Sequence, residues 1–237
     1  MTTHTLRSVD VAGLTVSYRE AGDPAAPPLL LLHALGEGSV SWDPLLEPLA
    51  ALGYRVLAPD ARGHGGSGRG EYTFERLRDD ATGFLEALAI DEADVVGHSM
   101  GALTAVLVAI AEPDRVRRLV LEDAGPERGG RQYDPFDEPD EELPFDWPVV
   151  NAIRAQRSDP DPNWFADAQR IAAPTLVIAG GPDSTMPQAE LHDLVAGMPD
   201  ARLVEIRAGH MVHDDAPEAW LSAVTAFLGP AADDAGR

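Results

Sequence analysis

The segment Gly97-His98-Ser99-Met100-Gly101 joins an apolar run, Ala93-Asp94-Val95-Val96, to a stretch with helical spacing that starts at Met100. A chain that passes this abruptly from strand to helix holds the central residue in a strained backbone conformation, and the residues two positions to either side must be tiny. Gly97 and Gly101 meet that demand. Such a turn presents the Ser99 hydroxyl openly, and a hydroxyl becomes a competent nucleophile once a neighbouring base takes its proton. His98 is adjacent in sequence, so its side chain points to the other face. A structural hydrogen bond is expected of it rather than the role of base.

Strand and helix patterns alternate around this turn. Residues 9–20 read as an opening pair of strands with a turn at Ala12-Gly13, and 28–33 is an all-apolar run of the kind buried on both faces of a sheet. The spacing predicts helices over 42–52 and 74–90, the second capped by Thr73, with a strand over 55–59 between them. Further strands are expected at 93–98, 116–122, 175–179 and 202–206, a helix over 100–111, and helices from about 188 and 217. This alternation implies an α/β fold: a mostly parallel, eight-stranded sheet with helices on both faces. One stretch breaks the rhythm. Residues 125–172 are largely polar, acidic and proline-rich, which suggests a short lid inserted between core segments 1–124 and 173–230, with 231–237 as a flexible tail.

Composition narrows the chemistry. The 237 residues contain no cysteine, which removes disulfides, thiolate metal sites and a cysteine nucleophile. They contain no lysine either, so Schiff-base chemistry, a pyridoxal phosphate anchor and a phosphate-loop lysine are excluded by residue type. A net charge of −22 argues against nucleic acid and against polyanionic substrates or acidic membrane surfaces. No apolar run reaches the roughly 18 to 20 residues of a membrane span, and the first residues lack a secretory pattern. The default expectation is a cytoplasmic monomer or small homo-oligomer acting on a small molecule.

Four separated segments resemble one family. His33-Ala34-Leu35-Gly36 with Trp42 downstream is similar to the His-Gly-x-Gly…Trp segment of the α/β-hydrolase superfamily, and Asp60-Ala61-Arg62-Gly63-His64-Gly65-Gly66-Ser67 to its Asp-x-Arg-Gly-x-Gly-x-Ser loop. The 97–101 turn is the third segment. The fourth is Gly209-His210 ahead of Asp214-Asp215-Ala216-Pro217-Glu218, in the order nucleophile, acid, histidine. Ala34 and Ala102 stand where many members carry glycine, and both are small enough to keep fold and chemistry. The resemblance is to the compact esterase, lactonase and carbon–carbon hydrolase branch.

Read this way, Ser99 is the nucleophile and His210 the base, with His213 as a rival. His210-Met211-Val212-His213-Asp214 has the look of a metal cluster, but nothing else in the sequence completes it. For the carboxylate that orients the imidazole, Asp183 in the Gly180-Gly181-Pro182-Asp183 turn is preferred, with Glu122 and Asp123 at the end of the preceding strand as alternatives. The backbone N–H groups of Leu35 and Met100 are expected to stabilise the oxyanion, each worth roughly 3 to 4 kcal/mol. Phe136, Phe145, Trp147 and Trp164 are candidate substrate-binding residues. The acidic lid suggests either a neutral or cationic apolar substrate or simply a rim of solvated carboxylates. Arg62 and His64 are expected to knit their loop together.

The expected function is a metal-free, cofactor-free serine hydrolase of a carboxylic ester, lactone or thioester. The same triad also serves carbon–carbon hydrolases, lyases and perhydrolases. A ligand-binding protein with a vestigial site is the third reading.

Overall fold

The apolar runs become the buried centre of one sheet. In the computed structural model, which describes residues 4–231, the strands are β1 (Thr5–Val11), β2 (Leu14–Ala21), β3 (Pro28–Leu32), β4 (Arg55–Pro59), β5 (Ala93–His98), β6 (Val116–Glu122), β7 (Thr175–Ala179) and β8 (Ala201–Glu205). They lie in the order β1-β2-β4-β3-β5-β6-β7-β8. β2 runs antiparallel to both its neighbours, and every pairing from β4 to β8 is parallel. The order doubles back at β3 and β4, so β3, β5 and β6 lie side by side and their carboxyl ends share one edge. Crevices at such an edge are where open α/β sheets bind ligands.

The helices are α1 (Asp43–Ala50), α2 (Phe74–Ala87), α3 (Met100–Ala111), α4 (Pro148–Ser158), α5 (Trp164–Ala168), α6 (Gln188–Gly197), α7 (Val212–Asp215) and α8 (Pro217–Leu228). Side chains alternate across a strand, so successive residues feed two cores. Leu30, Val95, Leu119 and Val177 meet Phe84, Val106 and Leu191 from α2, α3 and α6. Leu29, Val96, Val120 and Leu176 meet Leu45, Leu49, Trp220 and Val224 from α1 and α8. Thr73 caps α2, its Oγ1 accepting from the Arg76 N–H at 3.1 Å. The predicted helix over 42–52 is shorter than expected, because a 3₁₀ turn at Ser39–Trp42 takes up its start.

Between β6 and β7 the chain leaves the sheet. Residues 125–147 hold no helix or strand beyond a single bridge between His64 and Phe145, and α4 and α5 follow. Val149, Val150, Ile153 and Trp164 pack on Phe74, Met100, Leu103 and Leu107, which seats these helices above the start of α3. The tail expected at 231–237 lies outside the described residues apart from Ala231. No helix among the described residues is long and apolar enough to cross a membrane.

Candidate active site

Ser99 joins β5 to α3 with φ 53° and ψ −114°, a left-handed conformation for a residue with a side chain. The glycines make it possible. A Cβ on Gly97 would fall onto the Gly101 carbonyl, and one on Gly101 onto the carbonyl of Leu32 in β3. The strained turn therefore exists only where two backbones touch without side chains between them.

His210 follows Gly209, which adopts φ 75° after β8. Its Nε2 lies 2.9 Å from Ser99 Oγ and its Nδ1 2.8 Å from Asp123 Oδ2. The carboxylate against His210 is thus that of Asp123, not Asp183. Asp123 leaves β6 with φ 45° and is fully buried, and its oxygens also accept from Gly180 N at 2.7 Å, Gln188 Nε2 at 2.8 Å and the Ser184 hydroxyl. Burial pushes this carboxyl up, but the hydrogen bonds from His210, Ser184, Gln188 and Gly180 outweigh it and hold it below the usual range. Asp183 is exposed on the turn after β7. The same Gly180-Gly181 turn that singled it out contributes a backbone N–H to Asp123 instead.

Glu122, the other alternative, faces away from Ser99. It is buried and accepts from His213 N at 2.9 Å, His213 Nδ1 at 2.8 Å and Trp220 Nε1 at 2.8 Å. Hydrogen bonds and charge from His98 and His213 keep Glu122 ionised below its ordinary value, against the burial that raises it. His213, the rival base, is therefore committed to Glu122 and stacks on Trp42 at 4.3 Å. His98 is buried with its Nε2 2.9 Å from the His210 carbonyl oxygen, the structural bond expected of it. Its Nδ1 faces Glu37 at 3.7 Å. Burial lowers His98, but Glu122 and Glu37 overcome it and push it up to about 9. Burial raises Glu37, and His98 above all draws it down to about 2.

Leu35 and Met100 both line the cleft at Ser99, and Met100 opens α3, where first-turn N–H groups have no intrahelical acceptor. The neighbouring loop is knitted as expected. Arg62 grips Asp80 at 2.5 Å and 2.6 Å, and His64 accepts from Gly36 N at 3.1 Å.

The cleft at Ser99 has walls from Phe74, Leu103, Ile153 and Met186 and a polar end at Glu127 and Arg157. The four lid aromatics do not line it, which corrects their expected role. Phe136 is 54% exposed under the Arg154 guanidinium. Phe145 stacks between His64 and Trp147, and Trp164 packs edge-on against Phe74 from behind. Aromatic content flagged the lid but not which face it turns inward. Phe74 carries only the ordinary signal of a helix's buried stripe, and Ile153 lies in the lid segment, where no helix is expected. Asp134, Asp137, Glu138, Asp140, Glu141 and Glu142 are all exposed, so the lid's acidity is largely a solvated rim. Glu127 is the exception, buried and bound to Arg157 at 2.5 Å and to the Tyr133 hydroxyl at 2.5 Å.

Residues 27–151 match the family described as the alpha/beta hydrolase fold. The chain belongs to that family. Its hydrolase relatives make it an enzyme of the alpha/beta hydrolase class. This hydrolase is 28% identical to an sn-1-specific diacylglycerol lipase of Mus musculus, over 93% of this chain and 87% of that protein. It is 40% identical to a 2-hydroxymuconate semialdehyde hydrolase of Pseudomonas sp. across 48% of this chain and 42% of that one. Among solved structures, a hydrolase from Pseudomonas aeruginosa superposes with a TM-score of 0.80 and 29% identity, over 96% of this chain and 98% of the other.

Proposed function

We propose that this hydrolase is a serine carboxylesterase working through an acyl-enzyme, with Ser99 as nucleophile, His210 as base and Asp123 as orienting acid. The observation that carries the reading is the continuous relay from Ser99 Oγ to His210 Nε2 at 2.9 Å and from His210 Nδ1 to Asp123 at 2.8 Å. A carboxylate can only accept, so Nδ1 carries the proton and Nε2 presents a lone pair to the serine. Ser99 Oγ attacks the ester carbonyl carbon as its proton passes to Nε2. The N–H groups of Leu35 and Met100 receive the charge that develops on the carbonyl oxygen. Collapse expels the alcohol, which takes the proton from His210, and water repeats the sequence to release the acid.

The cleft favours a small, neutral, apolar acyl group. Its walls are aliphatic and aromatic, and the guanidinium of Arg157 is already met by Glu127 and Tyr133, so no unpaired charge is offered to an ionised substrate. Lactones and thioesters meet the same requirement. Carbon–carbon cleavage is the second reading, supported by the local likeness to the semialdehyde hydrolase.

A fluorophosphonate probe read by intact mass tests the nucleophile. One adduct is expected on the native enzyme and none on Ser99→Ala, with slow labelling of His210→Ala. Folded native enzyme that does not react would overturn the mechanism. Initial rates on p-nitrophenyl acetate, longer-chain esters and a β-diketone then separate ester from carbon–carbon cleavage. Preference for the diketone would select the second reading.

A further inference from the structure

We propose that Glu37, His98 and His213 form a binding site for one divalent transition-metal ion of the zinc class, behind the triad. The residues come from three segments: the loop after β3, the end of β5 and the short helix α7. One carboxylate oxygen of Glu37 and one ring nitrogen of each histidine lie within 4.8 Å of one another, and His98 faces Glu37 through Nδ1 at 3.7 Å. Neighbouring ligands at bonds of about 2.1 Å stand about 3.4 Å apart in a tetrahedral site, so a modest inward swing closes the set. Glu37 is half-buried on its loop and is the member able to make that swing.

The hydrogen bonds around the two histidines point to a ligand. Their side chains are 0% and 1% exposed, and among the described residues neither His98 Nδ1 nor His213 Nε2 has a hydrogen-bond partner. The opposite nitrogens are both committed. His213 Nδ1 faces the Glu122 carboxylate at 2.8 Å and 3.0 Å, and His98 Nε2 faces the His210 carbonyl at 2.9 Å. Both partners only accept, so each of those nitrogens carries a proton, and the opposite nitrogen of each ring is the one left to meet a cation, His98 Nδ1 once the proton it turns toward Glu37 is displaced. A carboxylate behind one histidine and a backbone carbonyl behind the other is the outer arrangement that orients metal-ligating imidazoles. Trp42, stacked on His213, and Trp220, bonded to Glu122, hold the second ring in place.

Two imidazoles and one carboxylate suit zinc, cobalt or nickel rather than magnesium or calcium. Asp214 Oδ1, 3.9 Å from His213 Nε2, or a water molecule would complete four ligands. A proton on His98, facing Glu37, is what the cation would replace. The ion would clip together the segments that carry Leu35, Ser99 and His210, because His98 already bonds the His210 carbonyl.

Isothermal titration of chelator-stripped native protein with zinc chloride tests this, with cobalt chloride as a spectroscopic probe. One equivalent should bind at micromolar concentration, raise the unfolding midpoint, and give the intense visible absorption of tetrahedral cobalt. Glu37→Gln gives up the charge paired with His98 and should unfold at a lower temperature even without metal. Titrated well below its own midpoint, it should bind at least about tenfold more weakly, since even outer-shell changes cost that much. His192→Ala, which removes an exposed histidine on α6, should bind as the native protein does. Absence of stoichiometric binding to the native protein, binding unaffected by Glu37→Gln, or binding lost in His192→Ala would each overturn the proposal. If Glu37→Gln does not fold, anomalous scattering from zinc-soaked native crystals decides instead. A peak among the three side chains supports the site, and a peak elsewhere or none refutes it.

Discussion

Glu122 and Asp123 are consecutive residues, yet their carboxylates serve two different histidines on opposite sides of the end of β6. Asp123 accepts from His210 at 2.8 Å, and Glu122 accepts from His213 at the same distance. The left-handed turn at Asp123 separates the two directions. One acid thereby orients the base at Ser99, while its neighbour anchors the helix that follows the base.

This separation predicts how acid variants divide. Asp123→Asn should lower kcat by roughly 10⁴-fold, since an amide opposite Nδ1 permits the wrong imidazole tautomer. Asp183→Asn should leave kcat within about twofold. Steady-state hydrolysis of p-nitrophenyl acetate by the two variants checks the assignment, and the reverse order of effects would refute it.

Glu122→Gln should act on stability rather than on turnover. The glutamine amide sets an N–H₂ donor against donors of His213 or Trp220, and the cost expected for disrupting such a buried charged cluster is about 2 to 4 kcal/mol. Urea unfolding should show a lower midpoint at unchanged slope. The kcat measured well below that midpoint should change far less than in Asp123→Asn.

Gly101→Ala should be the most damaging small substitution at the turn. Its methyl group meets the Leu32 and His33 carbonyls, which are backbone atoms of the central sheet and cannot yield cheaply. A loss of about 3 kcal/mol or more is expected. Thermal unfolding measures it, and a variant within 1 °C of the native midpoint would contradict the packing described.

The loop at His64 predicts acid sensitivity. Burial lowers this imidazole first, His33 adds to it, and the Arg62 carbonyl, Asp60 and Glu37 oppose them, leaving it at about 3. The unfolded chain binds a proton near pH 6.5 that the folded chain refuses until about pH 3. Stability contributed by His64 is therefore complete above pH 6.5 and is lost as pH falls through that window, at up to about 1.4 kcal/mol per pH unit. His64→Gln keeps an acceptor for Gly36 N and should flatten that slope in urea titrations between pH 7 and 4. An unchanged slope would show that other groups dominate it.

The strand-to-helix turn was legible because its constraint is local. Gly97, Ser99 and Gly101 lie within one short stretch, and backbone sterics alone tie them to a sharp turn. The alternation of apolar runs likewise fixed the sheet and most element boundaries, since burial on both faces leaves a pattern within each segment. Other features depended on distance through space. Asp183 and Asp123 both follow parallel strands near the same edge, and no local pattern says which loop turns its carboxylate inward. Phe74 and Ile153 line the cleft because α2 and α4 meet above α3, whereas Phe136 lies outside on the same lid. Glu37, His98 and His213 are likewise joined only by the packing of three segments. The amino-acid sequence by itself determined the fold, the nucleophile's turn and the residue types available for chemistry. Tertiary structure alone decided which carboxylate holds His210, which side chains shape the cleft and which histidines face one another, because those choices depend on the directions of loops contributed by separate strands.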